Sequence, residues 1–357
     1  MSSEDLSNLQ AREKPTRQAR RQAAMGDPDS ALFNMFYGPS HFGNTDMVKI
    51  NEDVFAYAFI TKPNLNLRDG NVLRVRKLQY LLDPAPNSQA NAVKCSLARP
   101  EGRGSSEPCP AINDKYPFIP FLSSSLESVS GWPDEAMEFF ESEEGWAKEV
   151  VGWADGRPES FSTFDLQFTF NSKEGDPHSA FFTAYFQYMG HVALGTIPPL
   201  ERSENEFEID YAQNVYIILT DRTKTFVQKI ACLNMGGFWQ GTNNGAHFNI
   251  ETGPTIQLTG RQISVPMRCF GFLYNDPGIF ERFNKLVGDF NPDMRRLIYE
   301  GDADRMVKIP LKWKTYFNHR GYPLINPASN ELEWWIEKDS FYDILAANGI
   351  TPTDGEV

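Results

Sequence analysis

Phe161-Ser-Thr-Phe-Asp-Leu-Gln-Phe-Thr-Phe170 is the stretch on which the fold turns. Apolar Phe164, Leu166, Phe168 and Phe170 alternate with Asp165, Gln167 and Thr169, a period of two that predicts a half-buried strand with one wet face. Asp176-Pro177 follows, an N-cap acceptor and a proline suited to a first helical position. A helix is therefore expected over 178–194, rich in Phe, Tyr and Met, with Gly195 available to end it. Two β-branched and aromatic segments come next, 211–220 and 225–233, joined by the polar turn Asp221-Arg222. A glycine-rich loop over 236–245 leads to a last strand near 262–274. Strand, helix and antiparallel meander make a packed β scaffold in which no reaction centre is visible.

Composition sets the outer bounds. A chain of 357 residues can bury one large core or two modest ones, and 41% hydrophobic with 23% charged residues is ordinary for a globular protein. Aromatics are high at 13%, with 27 Phe, which suggests sheets and large packed surfaces. A formal charge of -13 argues against a body that grips nucleic acid through a basic patch. It is compatible with a wall that DNA slides past, since like charges do not stick. No apolar run approaches the roughly 20 residues of a membrane span, and the N-terminus lacks a signal-peptide core. Synthesis and retention in a cytosol are expected.

Four cysteines, Cys95, Cys109, Cys232 and Cys269, are spread without a close pair, so neither a zinc site nor any other metal is expected. Cys95 and Cys109 flank a Gly/Pro/Ser loop and could bridge, although reduced thiols fit a cytosol better.

Working outward, residues 1–30 are polar and carry Arg12, Lys14, Arg17, Arg20 and Arg21. They read as a mobile basic arm, or as an arm that folds onto an acidic neighbouring subunit. Leu32-Phe33-x-Met35-Phe36-Tyr37 is a buried plug or an exposed anchor. A strand is expected over 54–60 and a turn at Asp69-Gly70, while 72–82 has a mixed period that fits helix or strand. Seven prolines between Asp83 and Pro120 predict a loop. Trp132-Pro133-Asp134 predicts the start of a helix running to about Val151, with Met137, Phe140, Trp146 and Val150 on one stripe. Its other face carries Glu135, Glu138, Glu141, Glu143, Glu144 and Glu149, either a solvated face or a charged lumen or docking surface. Asp276-Pro277-Gly278 introduces a helix over 279–287, and Asn291-Pro292-Asp293 caps another. Strand composition returns at 308–316, and Trp334-Trp335-Ile336 forms a second aromatic anchor.

Signatures of chemistry are scarce. The nucleophile elbow, the phosphate loop and the dinucleotide fingerprint are absent, and Gly236-Gly237-Phe-Trp-Gln-Gly241 reads as a turn or bulge. The five histidines lie far apart. Glu300-Gly-Asp302-Ala-Asp304 lacks the glycine and distal glutamate of a calcium loop. The seven tryptophans admit one competing class, a carbohydrate-binding or carbohydrate-active β protein, although packing explains most of them.

Three local patterns together resemble tail proteins of tailed bacteriophages, especially the tube-like, baseplate or tube-initiator components of contractile tails. They are Phe181-Phe-Thr-Ala-Tyr-Phe-Gln-Tyr-Met-Gly190, then Ile209-Asp-Tyr-Ala-Gln-Asn-Val-Tyr-Ile-Ile218 with Lys229-Ile-Ala-Cys-Leu-Asn-Met-Gly-Gly-Phe238, and Ile263-Ser-Val-Pro-Met-Arg-Cys-Phe-Gly-Phe-Leu-Tyr-Asn-Asp-Pro277. Thr61-Lys-Pro-Asn-Leu-Asn-Leu67 is similar to segments of large-phage virion proteins. The match covers about a third of the chain, whose length exceeds that of a plain tube subunit.

The resemblance implies a mainly β fold with flanking helices (α+β), a tail-tube-like antiparallel β-sandwich or partial barrel with insertions. The segments would be a basic arm (1–30), an N-terminal β segment with the Pro-rich loop and acidic helix (31–158), the tube-like core (159–277) and a C-terminal extension (278–357). It implies a non-enzymatic virion protein without cofactors, made in the host cytoplasm. The protein would form a ring that builds, initiates or caps the tail tube, baseplate or neck. Its partners would be copies of itself and other tail proteins, with the genome passing unbound and no membrane involved. Phe36, Tyr37, Trp334 and Trp335, with Phe181, Tyr185 and Tyr188 on the aromatic helix, would face neighbouring subunits. A helix aromatic nearly all round is either deeply buried or pressed on a neighbour, and the neighbour is the favoured expectation.

Overall fold

A computed structural model describes residues 55–156, 160–201, 209–245, 262–317 and 320–350. The chain divides into two compact units, one of residues 58–217 and 231–274, the other containing 218–230 and the segment from Asn275 onward. The expected cut at 158/159 is therefore absent: residues on both sides of it share one unit, and 218–230 goes with the C-terminal segment. Strands β1 (Phe55–Ile60), β6 (Val215–Thr220) and β7 (Val227–Leu233) run through the division.

The larger unit is built on β5 (Thr163–Asn171), the strand expected from the opening stretch. Leu166, Phe168 and Phe170 are buried on one face, while Asp165 and Gln167 are exposed on the other. Its partners are β2 (Leu126–Ser130) on one side and β9 (Gln262–Phe270) on the other, and β9 also pairs with β8 (Gly237–Trp239), all antiparallel. A second four-stranded sheet has the order β1-β6-β7-β10, where β10 is Phe272–Tyr274. The expected meander is thus split between two sheets. Gly271, with φ +67, makes the break between β9 and β10, and a Cβ there would lie 2.9 Å from both the Ser160 carbonyl oxygen and the Asn234 Cβ. Only glycine fits that corner.

Short helices α1 (Asp69–Arg74), α2 (Gln89–Leu97), α3 (Pro100–Arg103) and α4 (Pro120–Ser125) decorate this unit, with a 3-10 segment over Arg76–Leu82. Asp69-Gly70 opens a helix instead of a turn, and the ambiguous 72–82 stretch is helical throughout most of its length. The region expected to be all loop holds α2 because its prolines lie outside 89–97, and Ser88 caps the helix by accepting from the Asn91 amide. Pro100 and Pro120 sit in first turns, where a missing N–H costs nothing.

The long helix α5 (Pro177–Ala193) begins where the sequence predicts, with the Asp176 carboxylate accepting from the Ser179 amide. Phe181, Phe182, Tyr185 and Tyr188 enter one core with Leu166, Phe168, Phe170, Val265 and Trp239. Trp132-Pro133-Asp134 starts no helix. Residues 134–155 form instead a two-stranded hairpin, β3 (Phe139–Glu141) against β4 (Gly152–Ala154). The helical stripe was outweighed by β-branched Val150-Val151 and by Gly145 and Gly152, which disfavour a helix interior.

The smaller unit contains α6 (Pro277–Phe290), α7 (Pro292–Glu300), α8 (Lys338–Ala347) and a sheet ordered β11-β13-β12, from Met306–Lys308, Glu331–Glu337 and Tyr322–Asn326. Asp276 and Asn291 cap α6 and α7 as expected. The strand composition at 308–316 yields a 3-10 turn at Leu311–Trp313, preceded by Pro310. Antiparallel sheets, none closed into a barrel among the described residues, combine with helices into a mixed α+β fold.

One side chain finishes the sheet edge of this unit. Asn284 on α6 donates to the Ile325 carbonyl at 2.7 Å and accepts from the Ile325 amide at 2.9 Å, supplying both groups of β12 that lack a strand partner on that side. Asn284→Ala orphans two buried backbone groups and is expected to cost about 2–3 kcal/mol in denaturant. Hydrogen exchange at the Ile325 amide should accelerate in parallel. Unchanged protection there would mean that water replaces the amide freely.

Candidate functional site

The residues expected to face neighbours are mostly committed inside the fold. Phe181, Tyr185 and Tyr188 are fully buried in the larger unit, so the aromatic helix fills its own core and the favoured neighbour-facing expectation is corrected. The two tyrosine hydroxyls are also occupied. Tyr185 donates to the Tyr211 carbonyl at 2.7 Å, and Tyr188 donates to the Asp210 carboxylate while accepting from the Asn66 amide at 3.0 Å. Burial raises the pKa of Tyr188, of Tyr185 and of Asp210 above their ordinary values. Trp334 is buried in the smaller unit, beside Tyr57 with ring centroids 6.1 Å apart. Trp335 is half-buried and donates to Glu333 at 3.0 Å. Phe36 and Tyr37 lie outside the described residues.

Two buried constellations have the ingredients of chemistry. Ser125 Oγ on α4 and His178 Nε2 on α5 are 2.6 Å apart, the separation of a nucleophile and its base. Both side chains are buried, however, and the imidazole lies against Phe121 and Phe170. His178 Nδ1 has no hydrogen-bond partner, so no carboxylate orients the ring. Burial depresses its pKa, with Asp176 opposing the shift and Lys173 adding to it. The Ser125 hydroxyl already has a backbone acceptor, the Phe121 carbonyl at 2.6 Å, so the buried pair reads as a fastening between α4 and α5.

The second constellation surrounds Arg103. Its guanidinium donates to Cys95 Sγ at 2.7 Å and pairs with Asp114, while Lys62 Nζ donates to the Asn113 carbonyl at 2.7 Å. Lys94, also buried, reaches Asp69 at 3.1 Å. These cations tie the loop over 104–115 to the helices by charge and hydrogen bonds. They explain how a proline-rich segment keeps one conformation without strand pairing. Cys95, Cys109, Cys232 and Cys269 are free and buried. Among the described residues, no group of His, Cys, Asp and Glu converges as metal ligands, and no helix is long and apolar enough to cross a membrane. Asp302 merely accepts from the Asp304 amide in the turn after α7.

What the fold leaves outward is the hairpin of residues 134–155. Phe139, Phe140, Val150, Val151 and Trp153 are about half-exposed or more, and Trp146 at the tip is 104% exposed. The Phe140 and Trp153 rings, opposite one another across the strands, lie 4.7 Å apart. Eight carboxylates and a single lysine are interleaved with them. Sequence reasoning singled out Phe140, Trp146, Val150 and the glutamates, gave them helical geometry, and left Phe139 unremarked. Two short apolar runs around a polar centre, Phe139-Phe140 and Val150-Val151-Gly152-Trp153, were the hairpin signal. Exposed aromatic surface of this kind suits contact with a partner.

A family model described as "Putative phage tail tube protein" matches residues 7–351. No curated protein matches the chain. Among solved structures, the tube-terminating cap of the anti-feeding prophage aligns over 44% of this chain and 82% of its own, at 12% identity and a TM-score of 0.26. The sheath/tube terminator of the PVC extracellular contractile injection system, in its extended state, aligns over 42% and 85%, at 12% identity and a TM-score of 0.23. Likenesses this weak carry no argument about this chain.

Proposed function

The chain belongs to the phage tail tube protein family and is a structural protein of the virion tail, and from that premise we propose that it assembles with copies of itself into a ring that builds, initiates or caps the tail tube. The carrying observation is the family match across nearly the whole chain, residues 7–351. In this reading the protein catalyses nothing and works by shape. The buried Ser125–His178 pair and the burial of its aromatic helix leave adhesive surface as its main resource. A formal charge of -13 suits a conduit through which nucleic acid passes without adhering. Other tail proteins would be its further partners, and synthesis in the host cytoplasm precedes incorporation. No observation favours the carbohydrate reading, since Trp239 and Trp334 are buried in different units while Trp146 stands on a hairpin tip.

Purified protein is expected to form rings or short tubes, visible by electron microscopy and as discrete high masses in analytical ultracentrifugation. The chain should also be found in isolated tails. A protein that stays monomeric at high concentration and is missing from virions would refute the reading.

A further inference from the structure

The hairpin of β3 and β4 presents an unusual combination. Its ladder is short, Phe139 with Ala154, Phe140 with Trp153 and Glu141 with Gly152, extended by flanking bonds from the Asp155 amide to the Glu138 carbonyl and between Ser142 and Val151. Among the described residues neither strand joins another sheet. A lone two-stranded hairpin is marginal in water at best, so its stability calls for a cover. Alternation puts Phe140, Trp153 and Val151 on one face and Phe139 on the other, all exposed. An aromatic patch of this kind on a soluble chain marks a contact surface.

Charge identifies what covers it. Eight carboxylates against one lysine within residues 134–155 make a local excess that repels any second acidic surface, and the chain as a whole carries -13. An apolar partner with acidic rims is thereby excluded. The cover must be basic, and it must tolerate aromatic faces. One stretch of this sequence meets both demands. Residues 12–21, Arg-Glu-Lys-Pro-Thr-Arg-Gln-Ala-Arg-Arg, hold five cations and one acid. Arginine is the cation best suited to stack on Trp and Phe rings while pairing with carboxylates. More than thirty residues separate Arg21 from Phe55, a tether of about 100 Å when extended, ample to reach an adjacent subunit.

We propose that the acidic aromatic hairpin of residues 134–155 is the docking site for the basic segment 12–21 of a second copy of this chain. The proposal rests on the ring-forming reading above and deepens it by naming the contact. Guanidinium groups would lie over Phe139, Phe140, Trp146 and Trp153 and pair with Glu141, Glu143 and Glu144. Each copy then offers one arm and one hairpin, a head-to-tail arrangement that closes into a ring or propagates as a stack.

Charge reversal in both partners tests this on the full chain. One variant carries Arg17→Glu, Arg20→Glu and Arg21→Glu, another Glu141→Arg, Glu143→Arg and Glu144→Arg, and a third carries all six. All alter exposed or arm positions, and circular dichroism checks that each folds. Sedimentation at low salt should show association weakened about 10-fold or more in each triple variant, with recovery to within about 3-fold of wild type when the six are combined. Carbodiimide coupling of mixed isotope-labelled and unlabelled copies should join Lys14 of one copy to hairpin glutamates of another. Wild-type rings with unaffected triple variants, no recovery in the sixfold variant, or coupling confined to single copies would overturn the docking while leaving ring formation intact. Should wild type remain monomeric, the ring reading falls by itself. The docking is then judged by fluorescence anisotropy of a peptide spanning residues 10–24 on the arm variant, where lack of salt-sensitive binding overturns it.

Discussion

Replacing Trp239 with alanine is expected to be among the most damaging single changes to the larger unit, lowering its stability by about 3–5 kcal/mol. The indole is fully buried on β8, edge-on to Phe168 at 5.0 Å, to Phe182 at 5.2 Å and to Phe170 at 6.1 Å. Its Nε1 donates to Gln213 Oε1, whose own amide nitrogen donates to the Thr61 carbonyl at 2.8 Å. Truncation therefore leaves a cavity among three phenyl rings and strips Gln213 of its donor, a buried loss of about 1–3 kcal/mol that overlaps the cavity term. The neighbouring backbone will not close the gap. Gly237 already brings β8 so near β9 that a Cβ would sit 2.7 Å from the Arg268 carbonyl. Urea unfolding followed by far-UV dichroism measures the effect. The midpoint shift is the safer quantity, because a chain of two units need not unfold in one step. Trp146→Ala, at the exposed hairpin tip, should shift stability by no more than about 0.5 kcal/mol. Comparable shifts for the two tryptophans would contradict the packing described for Trp239.

That contrast also shows which parts of the fold were legible in the sequence. The strand at 163–171 and the helix at 177–193 were readable because local signals are clear there: alternation for the strand, and for the helix an Asp-Pro cap with Gly195 placed to end it. The same holds for α6 and α7, each announced by a capping side chain and a proline. The helix expected from Asp134 failed because periodicity alone cannot separate a stripe from two short strands. The deciding Val150-Val151 and Gly152 act by backbone preference. Burial was harder still. Tyr185 and Tyr188 resemble interface aromatics in composition, and only the positions of Tyr211, Asp210 and Asn66 reveal that their hydroxyls are spent internally. Those partners lie 22 or more residues away, beyond any local pattern. Sheet membership was likewise non-local: β9 and β10 adjoin in sequence yet join different sheets. Part of the exposed hairpin was found as a set of residues and its shape was missed: the glutamates were legible as a charged face, while Phe140, Trp146 and Val150 were placed on one helical stripe.

Lys62→Met is expected to change how stability depends on alkaline pH, and to raise it at neutrality. Lys62 is 7% exposed, with its ammonium 2.7 Å from the Asn113 carbonyl. Burial is the largest influence on it and lowers its pKa; Asp114 pulls upward, while Arg103 and Arg99 push further down, leaving a value of about 8 against an ordinary 10.5. The unfolded chain therefore takes up the proton first as pH falls, so stability drops between pH 10.5 and 8 by about 3 kcal/mol. Below about 8 both states are protonated, and the full penalty is present at pH 7. Methionine retains the buried stem and removes the charge, at the loss of one hydrogen bond worth about 1 kcal/mol. The variant should thus gain about 1–2 kcal/mol at pH 7, with the gain shrinking and reversing as pH climbs towards 10. Tyr185 and Tyr188, whose folded pKa values are raised, lose stability as pH passes their unfolded range near 10, so the informative curve is the variant minus wild type. Urea midpoints taken from pH 7 to 10 give it directly. A difference that stays flat across this window would mean that Asn113 and Asp114 already compensate the buried ammonium, and that the cations around Arg103 hold their loop without a standing electrostatic cost.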